Sequence, residues 1–581
     1  MPKKRGSASQ SMLNGAMILT VSTALVKVIG FFYKMPLNNI FNFGGRGFFN
    51  SAFNLYSPIY AIAITGLPIA VARMVSERAA LGRYRDVREI YKVARTVFLI
   101  TGLVGLVVML GLAYPYAHRY CPGGLEALPA ILVIAPSIFF CCAMSIYRGY
   151  YEGLRNMIPT AVSQVIEAIC KLLLGIVLAY AVMNFGQEEY KIAGVVIGRA
   201  SLAAAAAIIG ITLGTVIGTA YLALSHRIRG DGITREQLVN SEPAEPRRKL
   251  RREMITVSIP MVLSSVVLNL TNLIDTTNVS RILKNLVRDY PDVIERIYGD
   301  SLRLAGESNA ANYIWGIYGA MLDFRSLIPT IVTALGVSAL PAISAAWALK
   351  KHKTVQSTIN SVLRISLMIS LPAGFGMAVL SKEIPMLLFE KSNPGSTEHA
   401  WPILLMFGLS TALMAVSTPI TNLLQGIGRT DVPVKSLLLG AVLKITSNYI
   451  LVGNPEINIL GAPIGSILCY VAIVAYNLIV LLRVTKVKLH LPTVLWKPLL
   501  CSGLSAAAAW AAKGLMRLLA ARLGIEGRLA LLLAMGAAIA LAVLIYGISM
   551  LLTHAVTEED LEMLPKGKKI AKTLANYGLL G

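Results

Sequence analysis

The stretch from Tyr150 to Lys171 reads YYEGLRNMIPTAVSQVIEAICK, and 273 residues later Leu423 to Lys444 reads LLQGIGRTDVPVKSLLLGAVLK. Both place a Gly near the start (Gly153, Gly426), a Pro near the middle (Pro159, Pro433) and a Lys at the end, with Gly to Lys spanning 18 residues each time. Proline is favoured in the first turn of a helix, so each Pro marks a helix start. At 1.5 Å per residue, Lys171 then lies about 18 Å along its helix and Lys444 about 16 Å along its own. Two further echoes accompany this one. GLPIAVARMVSE from Gly66 resembles GVSALPAISAAW from Gly336 at an offset of 270, and Gly194-x-x-x-Gly198 resembles Gly461-x-x-x-Gly465 at an offset of 267. Three matches at nearly one offset predict an internal parallel repeat.

The setting of that repeat follows from composition. With 581 residues, 55% hydrophobic and 14% charged, and a mean hydropathy of +0.65, the chain is too apolar for a soluble multidomain protein. Crossing about 30 Å of hydrocarbon takes about 20 mainly apolar residues. Such runs occur near 11–33, 51–73, 93–115, 127–147, 159–183, 192–224, 254–280, 310–340, 357–381, 400–424, 433–452, 460–482, 497–520 and 528–552. The expected fold is therefore an all-α polytopic membrane protein of about 14 transmembrane helices. The first run, after MPKKRGSASQ, continues to Tyr33 past the length of a signal peptide and without an A-x-A site, so it reads as the first membrane helix.

The polar stretch Ser225 to Glu253 reads as a linker between two six-helix lobes, residues 1–224 and 254–482; helices at 483–552 are an addition and 553–581 a basic tail. With both termini cytoplasmic, 33 of the 54 Lys and Arg fall on the cytoplasmic side and 15 on the other, which sets that orientation in the plasma membrane. The net charge of +24 is thus met by membrane lipids and calls for no nucleic acid. The six cysteines form no C-x-x-C pair and the six histidines are scattered, so neither a metal site nor a disulfide framework is expected.

Charges inside apolar runs mark function, because each costs a few kcal/mol unless it faces a partner or a wet cavity. Lys27, Lys171, Arg199, Arg325 and Lys444 are so placed, with the acids Glu167, Asp275 and Asp323; Arg364 is near enough to a helix end to snorkel. Glu167 lies one turn before Lys171, so a self-neutralising local pair is one reading of that helix. The equivalent of Glu167 in the echo is Gly440, so Lys444 needs a partner from elsewhere. Asp323 and Arg325, two residues apart, point to different faces. Lys27, Asp275 and Arg199 lie toward the outer ends of their helices, where snorkelling is an alternative. Five cations against three acids favour an anionic substrate, and Lys and Arg are natural partners of phosphate oxygens.

No G-x-x-x-x-G-K-[ST] loop and no nucleophile–base constellation is present, which predicts a transporter with no cofactor rather than an enzyme. Its driving force would be the membrane potential or an ion gradient, about 2.3 kcal/mol per charge per 100 mV.

Lys27-Val-Ile-Gly30-Phe31-Phe-Tyr-Lys34, GLPIAVARMVSERAALGR from Gly66, and YYEGLRNMIPTAVSQVIE with its echo QGIGRTDVPVKS resemble the multidrug/oligosaccharidyl-lipid/polysaccharide exporter superfamily. Within it, the chain is similar to lipid II flippases of the MurJ kind and to stage V sporulation protein B-like proteins, over roughly residues 11–552. The resemblance implies a V-shaped pair of lobes around a cationic cavity lined by helices one, two, seven and eight. The substrate would be an undecaprenyl-pyrophosphate-linked oligosaccharide, moved from inner to outer leaflet by alternating access. Lys27 and Lys34 match basic positions flanking a Gly-Phe on helix one. A family arginine inside helix two has no counterpart in SPIYAIAITGLPIAVA, and Arg46 and Arg73 at its ends are the expected substitutes. Some relatives bind a coupling cation through an Asp on helix seven, for which Asp275 with Asn448 is the candidate here.

Three functions stay open: a flippase for a lipid-linked cell-wall precursor, an ion-coupled multidrug or metabolite exporter, and a membrane scaffold for cell-wall synthesis proteins. The scaffold would use the loop from Arg281 to Glu307, whose five basic and five acidic residues balance.

Overall fold

The computed structural model describes residues 12–61, 67–192, 195–306 and 308–555. The N-terminal basic residues, the tail after 555, and Gly66 and Gly194 of the repeat lie outside them. The chain runs α1 (Met12–Ile40), α2 (Asn42–Ala61), α3 (Leu67–Ala80), α4 (Tyr84–Tyr120), α5 (Leu128–Gly153) and α6 (Ile158–Phe185). A hairpin, β1 (Glu189–Ile192) and β2 (Val195–Gly198), precedes α7 (Arg199–Arg229), α8 (Arg235–Val239), α9 (Arg247–Asp289) and α10 (Pro291–Ala305). Then follow α11 (Ala310–Arg325), α12 (Leu327–Ala348), α13 (His352–Val379), α14 (Glu383–Leu388), α15 (Thr397–Gly426), α16 (Asp431–Leu451), α17 (Gly461–Thr485), α18 (Lys497–Arg522) and α19 (Gly527–Leu552).

Among the described residues, ten helices are long and apolar enough to span a membrane: α4 to α7, α13, and α15 to α19. The protein is a helical, multi-pass membrane protein. The other four expected crossings fall on α1, on α2 with α3, on α9, and on α11 with α12. The echoed prolines do open their helices: Pro159 is in the first turn of α6 and Pro433 in that of α16.

Two expected helices are altered. The run 310–340 is broken at Ser326, between α11 and α12. Pro329 has no N–H to donate to the carbonyl of Arg325 four residues back, and its ring crowds that turn. The Ser326 hydroxyl instead donates to the Asp323 carbonyl at 2.8 Å. The run expected as helix from 192 starts as helix only at Arg199, because β-branched residues at 195–197 extend and pair with β1, Glu189 opposite Gly198. Arg199 therefore sits at the first position of α7, with its N–H on the Glu188 carbonyl at 2.9 Å, and not inside an apolar run.

The chain packs as two compact units, one of residues 1–287 with 307–316 and one of 288–306 with 317–581. These differ from the expected 1–224 and 254–482, and ion pairs explain why. Segment 225–253 is not a loose connector. Thr234 and Gln237 form a reciprocal cap on α8, and Glu253 and Glu245 reach Arg78 of α3 at 2.9 and 3.5 Å. Arg83 bridges Glu245 at 3.3 Å and Asp86 at 2.6 Å, so the start of α9 is fastened to the α3–α4 corner. Likewise the first turns of α11 belong with α2, where the Asn312 amide donates to the Gly44 carbonyl at 2.6 Å.

Within the first unit, α6 and α7 meet backbone to backbone. A Cβ on Gly210 would lie 2.5 Å from the Gly175 Cα, and one on Gly214 2.9 Å from the Glu167 carbonyl oxygen. In the second unit, Gly461 and Gly465 of α17 do the same against α16, at 2.6 Å from the Leu451 carbonyl carbon and the Ser447 hydroxyl. Gly198, matched to Gly465 in the sequence, ends β2.

Candidate functional site

Because α7 presses on α6 through glycine, the long side chains of α6 turn to the side where α1 packs. There they border a cavity of about 440 Å³, lined by Thr23, Lys27, Gly30 and Tyr33 of α1, Arg148 of α5, and Gln164, Glu167 and Lys171 of α6, with Tyr60 of α2. It lies wholly within the first unit. Three cations and one carboxylate border it, leaving two positive charges in excess.

Each lining group is held by identifiable contacts. The Tyr33 hydroxyl donates to the Ala207 carbonyl at 2.9 Å, which fixes its ring. The Lys171 ammonium sits 5.1 Å from the centre of that ring, a cation–π contact that stabilises a half-buried ammonium. Thr23 donates to the Gln164 side-chain oxygen at 3.4 Å, so the amide nitrogen is the end available to a ligand. Gly30 leaves room: a Cβ there would meet nothing within 4 Å.

Glu167 does not make the local pair expected with Lys171. Its carboxylate is bound by Arg148 at 3.0 Å, and the same guanidinium donates from Nε to Ser163 at 3.1 Å. Ser163 in turn donates to the Thr160 carbonyl at 2.8 Å. Arg148 lies just past the apolar run 127–147, five residues before the end of α5 at Gly153. Glu167 inside the apolar run of the next helix, in need of a cation, was the available signal.

Of the candidates from sequence, the fold brings together Lys27, Glu167 and Lys171. Lys34 is half-buried two turns along α1 from Lys27. Arg46 is buried in α2 with its guanidinium 5.1 Å from the Phe49 ring, and Arg73 is exposed on α3. Asp275 is buried in the first unit and Asn448 in the second, where it abuts Gly465. Also in the second unit, Arg325 ends α11 with its guanidinium over the Phe407 ring at 5.2 Å and a hydrogen bond to Ser466 at 3.3 Å. Asp323 is half-buried two residues short of that end, and Lys444 is half-buried in α16.

The chain is thus a helical multi-pass membrane protein with a cationic cavity bordered by α1, α5 and α6. The polysaccharide biosynthesis protein family matches residues 12–347, and the chain belongs to that family. The lipid II flippase MurJ family matches residues 327–559. The chain is 25% identical over 492 residues to lipid II flippase MurJ of Bacillus subtilis (strain 168), covering 82% of this chain and 83% of that one. It is 23% identical over 470 residues to stage V sporulation protein B of the same organism, covering 79% and 81%. In fold it is similar to the structure of lipid II flippase MurJ in an inward closed conformation, with a TM-score of 0.62 at 15% identity over 93% of this chain and 99% of that one. An inward-facing multidrug resistance MATE family transporter gives a TM-score of 0.60 at 14% identity over 81% and 99%.

Proposed function

We propose that this protein is a flippase that carries a lipid-linked, pyrophosphate-bearing cell-wall or polysaccharide precursor from the inner to the outer leaflet. The observation that carries this reading is the cavity between α1 and α6, where Lys27, Lys171 and Arg148 outweigh Glu167. Its two excess positive charges equal the two negative charges of a pyrophosphate diester. Coulomb attraction in such a low-dielectric wall is several times that in water, so the match favours a doubly charged headgroup over a neutral or cationic one. An exporter of organic cations would need the opposite balance. The similarity to lipid II flippases over most of the chain supports the same substrate class.

In this reading Lys27 and Lys171 grip phosphate oxygens, the Gln164 amide donates to them, and Tyr33 and Tyr60 offer ring faces to the attached sugar. The lipid tail stays among the bilayer chains. In this reading both termini lie on the cytoplasmic side, which the Lys and Arg count supports, and no catalytic step is involved. The test is complementation of a bacterium depleted of its own lipid II flippases. Restored growth and surface-accessible precursor are expected; a membrane-inserted protein that leaves precursor trapped inside would rule out lipid II as the cargo.

A further inference from the structure

A cavity of about 410 Å³ lies in the second unit, where the end of α13 meets α15 and α18. Its wall combines two indoles, Trp401 of α15 and Trp510 of α18, with two ammonium groups, Lys382 just before α14 and Lys513 of α18. We propose that this cavity binds the phosphodiester headgroup of a bilayer glycerophospholipid carrying one negative charge, with the acyl chains running down the lipid-facing side of α18. The site belongs to the other unit from the α1–α6 cavity and does not depend on what that cavity carries.

Its depth suits a headgroup. From Lys497, which begins α18, to Lys513 is 16 residues, about 24 Å along the axis. The hydrocarbon is about 30 Å thick, so a helix that enters at Lys497 brings Lys513 within about 6 Å of the opposite boundary. The Lys513 ammonium donates there to the carbonyl of Val379, the last residue of α13, at 2.8 Å. Tryptophan favours this boundary because its ring is apolar and its N–H polar, and Trp510 is 67% exposed. A chain leaving the headgroup finds Ala378, Leu405 and the Trp510 ring beside it.

The charges about the cavity suit a single phosphate. The Glu383 carboxylate is 1% exposed and bound by two cations, Lys513 at 3.1 Å and Arg517 at 2.9 Å. One carboxylate neutralises one cation, so a positive charge is left over whichever of the two is counted as its partner. Lys382 and Glu398, 2.9 Å apart, balance each other, and Glu398 also accepts from the Trp401 N–H at 3.3 Å. Three cations thus stand against two carboxylates. One excess charge matches the one negative charge of a phosphodiester, and a pyrophosphate diester, with two, exceeds it.

The experiment is native mass spectrometry of the full-length protein released from detergent micelles. The probe is phosphatidylglycerol, and diacylglycerol with the same chains is the phosphate-free control. Wild type is expected to hold one phosphatidylglycerol at least about tenfold more tightly than diacylglycerol, the worth of one charge-assisted contact. Arg517→Gln removes the excess charge while leaving the Lys513–Glu383 pair in place, and should weaken phosphatidylglycerol retention about tenfold. Trp510→Ala, at a lipid-exposed position, should weaken it several-fold, and it decides the matter if melting curves show that Arg517→Gln does not fold. Lys391→Gln, at an exposed lysine outside the cavity wall, and Lys27→Gln, in the first unit, should not change retention. Equal binding of the two lipids, or a folded Arg517→Gln that binds like wild type, overturns the proposal. So does a loss at Lys391→Gln as large as that at Arg517→Gln, which would mean general surface attraction. A loss at Lys27→Gln in place of Arg517→Gln puts the phosphate in the α1–α6 cavity and overturns it too.

Discussion

The helices α6 and α16 begin on matching prolines and carry a Lys at matching depth, yet they differ at the position of Glu167. In both units the following helix supplies glycines at the close approach, Gly210 and Gly214 of α7 and Gly461 and Gly465 of α17; what differs is that α6 carries Glu167 where α16 carries Gly440. In the first unit α7 contributes Gly210 and Gly214, so α6 can carry Glu167 and Lys171 on its far side. In the second, α16 itself contributes Gly440 at the position of Glu167, and α17 fills the space: a Cβ on Gly440 would lie 2.7 Å from Ile473 Cδ1 and 2.9 Å from Cys469 Sγ. An internal repeat can thus preserve helix depth and connection while exchanging a charged residue for a glycine at one position of the helix pair. That exchange decides where a charged side chain can sit.

The largest effect expected from breaking this contrast is at Gly210. Valine there pushes backbone against backbone and should lower stability by about 3 kcal/mol, the upper end for overpacking, seen as a fall in thermal unfolding temperature in detergent. Gly440→Val meets only side-chain ends that can move, and about 1 kcal/mol is expected. Equal losses at the two sites would show that the glycine exchange is not what distinguishes the units.

Next come the lysines. Lys171→Gln, with the protein still inserted, should reduce flipping of a lipid-linked precursor in proteoliposomes by about tenfold or more, and Lys27→Gln similarly, each removing one charge-assisted contact. Lys444→Gln should act several-fold more weakly. A larger effect at Lys444 would move the substrate site into the second unit. A steric probe sharpens the same point: Gly30→Leu meets no neighbour in the first shell but projects into the cavity, so it should lower transport by several-fold with an unchanged melting temperature.

The smallest effect concerns the strap in the first unit. The hydrogen bond from Lys249, with Arg78 and Arg83 close by, holds the Glu245 carboxyl below the ordinary 4.5. A depressed folded value gives stability that is full above the ordinary value and is lost as pH falls through the folded one. Wild type should therefore lose slightly more unfolding temperature than Glu245→Gln on going from pH 6 to below about 4.5. The difference corresponds to no more than about 0.5 kcal/mol after solvent screening.

Much of this architecture was legible along the chain because it rests on local physics. Hydrocarbon thickness fixes the length of apolar runs, and a Pro in the first turn fixes where α6 and α16 begin, so the depth of Lys171 and Lys444 followed from counting. The break at Ser326 was equally local and was written in Pro329, whose missing N–H faces Arg325. The hairpin before α7 was hidden because short β-branched apolar runs read alike as strand or helix.

What the sequence could not decide were pairings between helices. It placed Glu167 one turn from Lys171 and so offered a local salt bridge, but the partner that fits is Arg148, 19 residues away on another helix. It showed a polar segment at 225–253 but not the Arg78 and Arg83 guanidiniums that fasten it. The sequence by itself determined a membrane protein with cations inside its apolar runs, at depths that follow from the helix rise. Only the tertiary structure decided which of them share a cavity, because side chains meet across helices according to where glycine lets backbones approach, and that is set by packing in three dimensions.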